Sequence, residues 1–208
     1  GAEVLGVDIS HDLIEVAQPR AAGLSNVRFI EDDAGSWRDP AFTPDLIISR
    51  HGVMFFADPI AAFANIRAGG ADGSRLMFSC FRTPGENAWA AGLAGLLGLP
   101  PAANPRAPGP FAFAETAHVE GLLAAAGWQG IGFEAVDFAY VCGMGEDPVE
   151  DALGFFQRIG PAALHLRNLA GAARTDAESR IRDWLERHRS GNLVAMAAAA
   201  WIVTARKD

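Results

Sequence analysis

The chain has 208 residues, of which 50% are hydrophobic and 20% charged. That is room for one domain, or one domain with a subdomain, and it excludes a disordered chain. The net charge of −8 at pH 7, with no cluster of Lys and Arg, excludes a nucleic-acid partner held by phosphate neutralisation. The longest apolar run, 193–205, is alanine-rich and too short for a membrane-spanning helix. The two cysteines, Cys80 and Cys142, lack metal-ligand spacing and are expected to be buried free thiols of a cytoplasmic protein. No metal site is expected. The sequence opens at Gly1 with neither an initiator Met nor a signal-peptide pattern, and it enters a strand within a few residues.

In chain order, the first half alternates strand and helix signals. The apolar run 3–8, with Val4, Leu5 and Val7 ahead of Asp8, predicts a buried parallel strand. Ser10 is placed to cap a helix that turns Leu13, Val16 and Ala17 inward and ends or kinks at Pro19. Residues 26–33 and 45–49 predict the second and third strands. Asp58-Pro59 is an N-cap followed by proline at the first helical position, and that helix should stop at Gly69-Gly70. Residues 74–81 predict a fourth strand. Strands joined by helices of this length make parallel βαβ units. The segment 82–113, rich in Pro, Gly and Ala, is too apolar for a free linker and predicts a partly helical cap. A helix follows from Thr116, with Val119, Leu122, Leu123 and Ala126 on one face, and then a strand over 131–141. Residues 147–166 and 175–189 predict two helices, the second opened by a capping box of Thr175 and Glu178. Residues 195–205 predict a final strand despite their alanines, because a turn-like Ser190-Gly191-Asn192 precedes them and Trp201-Ile202-Val203-Thr204 closes them.

An acid at the carboxyl end of a parallel strand suits a ribose. A carboxylate accepts hydrogen bonds from vicinal hydroxyls, and ligands of open α/β sheets sit at those strand ends. Asp8 fits this role, although many strands end in Asp for turn reasons. The second strand also ends in acids, Glu31-Asp32-Asp33, and an acceptor there could take the exocyclic amine of adenine. The pair of acidic strand ends is more specific than either alone. No nucleophile and base stand together. His51 is a candidate general base, against a structural or partner-facing role, and Arg82 could orient an anionic acceptor or make an ordinary salt bridge. Trp89, Phe111 and Phe113 either line an acceptor pocket or pack the cap. His118, His165 and His188 fall on predicted helices and read as solvated or capping residues, and 180–189 as the wet face of a helix.

Val4-Leu5-Gly6-Val7-Asp8-Ile9-Ser10, the stretch 26–34 ending in Asp33-Ala34, Asp45-Leu46-Ile47-Ile48-Ser49-Arg50 and the glycine turn at 67–76 stand in an order that resembles the motifs of class I S-adenosylmethionine-dependent methyltransferases. The stretch from Ser49 to Pro59, with Phe81-Arg82 and Glu86-Asn87-Ala88-Trp89, is similar to a bacterial small-molecule subgroup related to the quinone-biosynthesis enzymes. The resemblance implies a Rossmann-like α/β fold over 1–208, a single domain with a mostly parallel sheet, an antiparallel C-terminal strand beside the fourth, and cap insertions at 82–113 and 143–192. It implies S-adenosylmethionine as cofactor, with Asp8 on the ribose, Ile9 against the adenine, Asp33 and Ala34 on its amine edge, and Ser49 and Arg50 near the methionine end. It implies a small-molecule acceptor and leaves homodimerisation open. The family's first strand, with its glycine-rich loop and helix, is expected ahead of Gly1, about 40–60 further residues by the size of a strand–helix unit, with that strand lying between those at 3–8 and 45–49. A nicotinamide-dependent oxidoreductase would share the strand-end acid, and a non-catalytic relative would keep the fold as a binding surface.

Overall fold

A computed structural model describes the backbone of residues 1–208 and every side chain except that of Pro161. The first two strands form a sheet of their own. β1 (Val4–Asp8) and β2 (Val27–Glu31) pair in parallel from Val4↔Val27 to Asp8↔Glu31, joined through α1 (His11–Arg20). The Ser10 hydroxyl accepts the Leu13 N–H at 3.3 Å, the expected N-cap, and Pro19 falls in the last turn of a helix that ends one residue later.

The second sheet holds β3 (Leu46–Arg50), β4 (Arg75–Phe81), β5 (Gln129–Met144), the two-residue β6 (Arg189–Ser190) and β7 (Leu193–Arg206), in the order β3-β4-β7-β5, with β6 on β7. β3 and β4 are parallel across α2 (Pro59–Gly69), whose N-cap Asp58 accepts the Ala61 N–H at 3.0 Å. β7 runs antiparallel to β4, β5 and β6, so it alone opposes the rest of its sheet. It lies between β4 and β5 and leaves β5 at the edge. Strand pairing on both sides overrides the helix preference of Ala197–Ala200. Their small side chains let α3 (Ala88–Leu97) and α5 (Pro148–Phe156) approach the sheet closely.

Where the β4–β7 ladder ends at Phe81↔Ala200, a side chain continues it. The fully buried Asn87 donates through Nδ2 to the Ala199 carbonyl at 3.2 Å and accepts the Ala199 N–H on Oδ1 at 3.1 Å. The Ala199 carbonyl also accepts the Arg82 N–H at 3.0 Å, so what the side chain alone supplies is an acceptor for the buried Ala199 N–H. The core covers both faces of this sheet around β7. Phe78 of β4 stacks on Phe63 of α2 at 5.6 Å, with Leu76 and Cys80 on the same face and Val119 and Leu123 of α4 (Thr116–Ala125) in the same cluster. Phe81, Met196 and Ala198 point the other way, where Phe81 meets Trp89 of α3 at 5.3 Å. On the Phe81 face Ile48 and Met77, register partners, are 71% and 44% exposed. β1 pairs only with β2 and β3 only with β4, so each leaves one edge unpaired, and the two do not pair with each other.

Two sequence expectations are corrected. The helix expected over 147–166 is two helices: α5 ends at Phe156, and Gly160, with a positive φ of 84°, redirects the chain into α6 (Pro161–Arg167). The last helix, α7, spans Gly171–Glu186, so Thr175 lies inside it and forms no capping box. Its hydroxyl donates back to the Gly171 carbonyl at 3.3 Å, and Glu178 engages Arg174 at 2.9 Å and Gln157 at 3.1 Å instead. The cap over 82–113 is partly helical, with a 3-10 turn at Pro84–Glu86 ahead of α3.

Candidate cofactor and acceptor site

The carboxyl ends of β1 and β2 present a row of acids. Asp8 Oδ1 accepts the Ser10 N–H at 2.8 Å, which fixes the carboxylate at the start of α1 and leaves Oδ2 without a protein partner among the described residues. Ile9, the next residue, is 75% exposed, an apolar side chain set out at the rim. Asp33 is held by its own turn. Its Oδ1 accepts the Gly35 N–H at 2.8 Å, its carbonyl accepts the Trp37 N–H at 2.7 Å, and its amide donates to Asp32 Oδ1 at 2.7 Å. Ala34 beside it is half-buried. Free carboxylate oxygens next to an exposed apolar side chain are what a ribose and a flat base require, so these residues fit a nucleoside.

That turn packs against α2 and the loop that leads into it. A Cβ on Gly35 would lie 3.1 Å from Ala62 Cβ and 3.3 Å from Phe56 Cδ1, and Asn65 of α2 donates to the Trp37 carbonyl at 3.0 Å. The loop after β2 therefore lies against the helix that follows β3, with Asp8, Ile9, Asp33 and Ala34 on one side. On the other, Ser49 is half-buried and Arg50 exposed at the end of β3.

His51 follows directly. Its N–H extends the β3–β4 ladder to the Ser79 carbonyl at 3.1 Å, and among the described residues it alone combines a side chain with a positive φ, 55°. The ring stacks on Phe81 at 4.2 Å and 14°. Burial, with Arg50 adding to it, pushes its pKa down to about 4, so the imidazole is neutral at physiological pH. Nδ1 is buried without a hydrogen-bond partner. Phe81 in turn meets Trp89 at 5.3 Å and Tyr140 at 5.8 Å, and burial raises the Tyr140 pKa.

Other candidates resolve into structure. Trp89 and Phe113 are 1% and 2% exposed, so they fill the core. Arg82 is engaged by Glu86, by Asp137 at 2.9 Å and by the Trp201 ring at 5.1 Å, an ion-pair cluster that ties β4 to the edge strand. Cys80 and Cys142 are buried thiols pushed up to about 12 and about 11, hydrogen-bonded to the Phe113 and Val194 carbonyls. His118 and His188 stack edge-on against Phe113 and Trp184, and burial lowers both pKa values. Sequence reading missed the His11–Glu31 pair, 2.7 Å apart, which bridges the start of α1 and the end of β2 and raises the His11 pKa. The parallel register that sets Asp8 opposite Glu31 is the signal that could have found it. It also missed Tyr140, the chain's one tyrosine, which a strand alternation alone does not mark.

Comparison with known proteins places this geometry in a setting. Residues 1–70 match the family model described as a methyltransferase domain. No curated protein matches the sequence. A candidate methyltransferase of Bacillus halodurans superposes with a TM-score of 0.54 at 13% identity, over 98% of this chain and 82% of that one. The YcgJ protein of Bacillus subtilis gives 0.55 at 15%, over 98% and 81%. Phosphoethanolamine N-methyltransferase 2 of Haemonchus contortus, solved with phosphomonomethylethanolamine and S-adenosylhomocysteine, gives 0.53 at 17%, over 100% and 44%. Among the described residues no helix is long and apolar enough to cross a membrane, and no group of His, Cys, Asp and Glu is arranged to hold a metal. The first 70 residues of this chain match the methyltransferase domain family, and the chain as a whole shares a Rossmann-like α/β fold with the solved methyltransferases it superposes on.

Proposed function

We propose that the protein transfers a methyl group from S-adenosylmethionine to a small-molecule acceptor. The observation that carries this reading is the rim of Asp8, Ile9 and Asp33 at the ends of two paired strands, within the segment that matches the methyltransferase domain. In it Asp8 Oδ2 accepts from the ribose hydroxyls, Ile9 covers one face of the adenine, and Asp33 with the Ala34 backbone meets its amine edge. Ser49 and Arg50 border the methionine end. When bound, the cofactor supplies an activated sulfonium methyl group, which explains why no nucleophile and base stand together here. What the chain contributes is alignment of the acceptor and exclusion of water. The acceptor lies on the His51 side of the region, where the His51 ring is backed by Phe81 and the aromatic cluster buried behind it.

The test is a screen of small hydroxyl, amine, carboxylate and enolisable acceptors for release of S-adenosylhomocysteine by the full-length protein. Release with one acceptor class, abolished by omitting that acceptor, is the expected result. A screen without any turnover, from protein that also fails to bind the cofactor, would refute the reading.

A further inference from the structure

A neutral imidazole carries one N–H and one lone pair, and the surroundings decide which nitrogen holds the proton. In His51, Nδ1 is sealed from solvent and has no partner, whereas Nε2 is not sealed. A proton on Nδ1 would be a buried, unpaired donor, which costs more than a lone pair left unpaired at the same place. The proton therefore belongs on Nε2. A histidine that works as a base through Nε2 needs the opposite tautomer, with Nδ1–H held by a carboxylate or carbonyl behind the ring. No such group reaches Nδ1 among the described residues, and the face of the ring is covered by Phe81.

The ring is also fixed in place. The left-handed backbone at 51, the N–H bond to Ser79 and the stack on Phe81 set its direction. The charged and titratable groups around it carry no unmatched negative charge that would draw a proton to it. Arg50 precedes it in sequence, Arg82 behind Phe81 is matched by Glu86 and Asp137, and Tyr140 on β5 is a neutral phenol. A fixed neutral donor beside an arginine suits an oxygen that brings its own lone pair.

Resting on the methyltransferase reading above, we propose that His51 is a hydrogen-bond donor through Nε2–H, not a general base, and that the acceptor substrate presents a carbonyl oxygen or oxyanion to it. The substrates that fit are carboxylates and enolised carbonyl compounds, whose nucleophile needs no base. Unactivated alcohols do not fit.

Imidazole nitrogen NMR of the full-length, 15N-labelled protein decides the tautomer without any acceptor. The expected spectrum shows His51 as the Nε2–H form with no protonation between about pH 5.5 and 8. The Nδ1–H form, or a titration near the ordinary histidine value, would overturn the proposal. Titration with S-adenosylhomocysteine separates its fate from that of the functional reading. Binding together with an Nδ1–H ring removes the donor role alone, and an Nε2–H ring without binding removes the acceptor assignment. Matched acceptors, benzoate against benzyl alcohol and a cyclic 1,3-diketone against its diol, then test the class. His51→Ala should lower turnover of the oxyanion or diketone acceptor by about tenfold or more, and His51→Gln, which keeps a donor, should recover most of it. A diol or alcohol turned over as fast as its oxidised partner, or a Gln variant as poor as the Ala variant, would contradict the proposal.

Discussion

His51 holds a backbone conformation that a β-branched residue resists and asparagine tolerates. His51→Asn should leave thermal stability near that of the wild type, whereas His51→Val should cost about 1–2 kcal/mol, read by denaturant unfolding. The same residue sets a pH dependence. Its folded pKa, about 4, lies below the unfolded value of 6.5, so between these pH values the unfolded chain binds the extra proton. Its contribution is whole above pH 6.5 and is lost as pH falls towards 4. His118 and His188 act in the same direction, and the exposed His11 opposes them through its pair with Glu31. A melting-temperature series across that window should decline on the acid side, and less steeply in His51→Asn. An unchanged slope would show that His51 is not the neutral buried group described. Asp8 and Asp33 were legible in the sequence as acids at strand ends. The character of His51 was not, because a left-handed φ and a stack on a residue 30 positions away leave no mark on local pattern.

At the scale of elements, every strand of five or more residues was legible from apolar pattern and flanking turns, and so were the caps of α1 and α2. The failures came where two signals competed. Gly160-Pro161 is a helix-breaking pair inside an otherwise helical stretch, and amphipathic spacing on either side concealed it. Thr175 and Glu178 have capping-box spacing but sit one turn inside α7, which begins four residues earlier at Gly171. Two alanine substitutions separate real cap from apparent one. Asp58→Ala should destabilise by about 1 kcal/mol by freeing the Ala61 N–H, and Thr175→Ala should stay within about 0.5 kcal/mol of wild type. Equal losses in the two, measured by urea unfolding, would contradict the helix boundaries.

Across the whole molecule, a single feature joins fold and site: two sheets in which β1 and β3 each leave one edge unpaired, with Ile48 and Met77 exposed on the face alongside. Pairing these open edges would add ladder hydrogen bonds with a net worth of about 0.5–1.5 kcal/mol each, and an open apolar edge invites such pairing. We propose that a further parallel strand, from polypeptide ahead of Gly1, lies between them with a helix over the apolar face. In the full-length protein the amides of β1 and β3 should then exchange with deuterium as slowly as those of β4, and fast exchange in both would refute that arrangement. In the proposed function the ends of these strands hold S-adenosylmethionine. Calorimetric titration of the full-length protein and its Asp8→Ala variant, with S-adenosylmethionine and separately with NAD, decides this. Binding of S-adenosylmethionine but not NAD is expected, weakened in the variant by about 1.5–3 kcal/mol, the scale of a charge-assisted hydrogen bond. Binding of NAD in preference, or equal S-adenosylmethionine affinity with and without the Asp8 carboxylate, would contradict it.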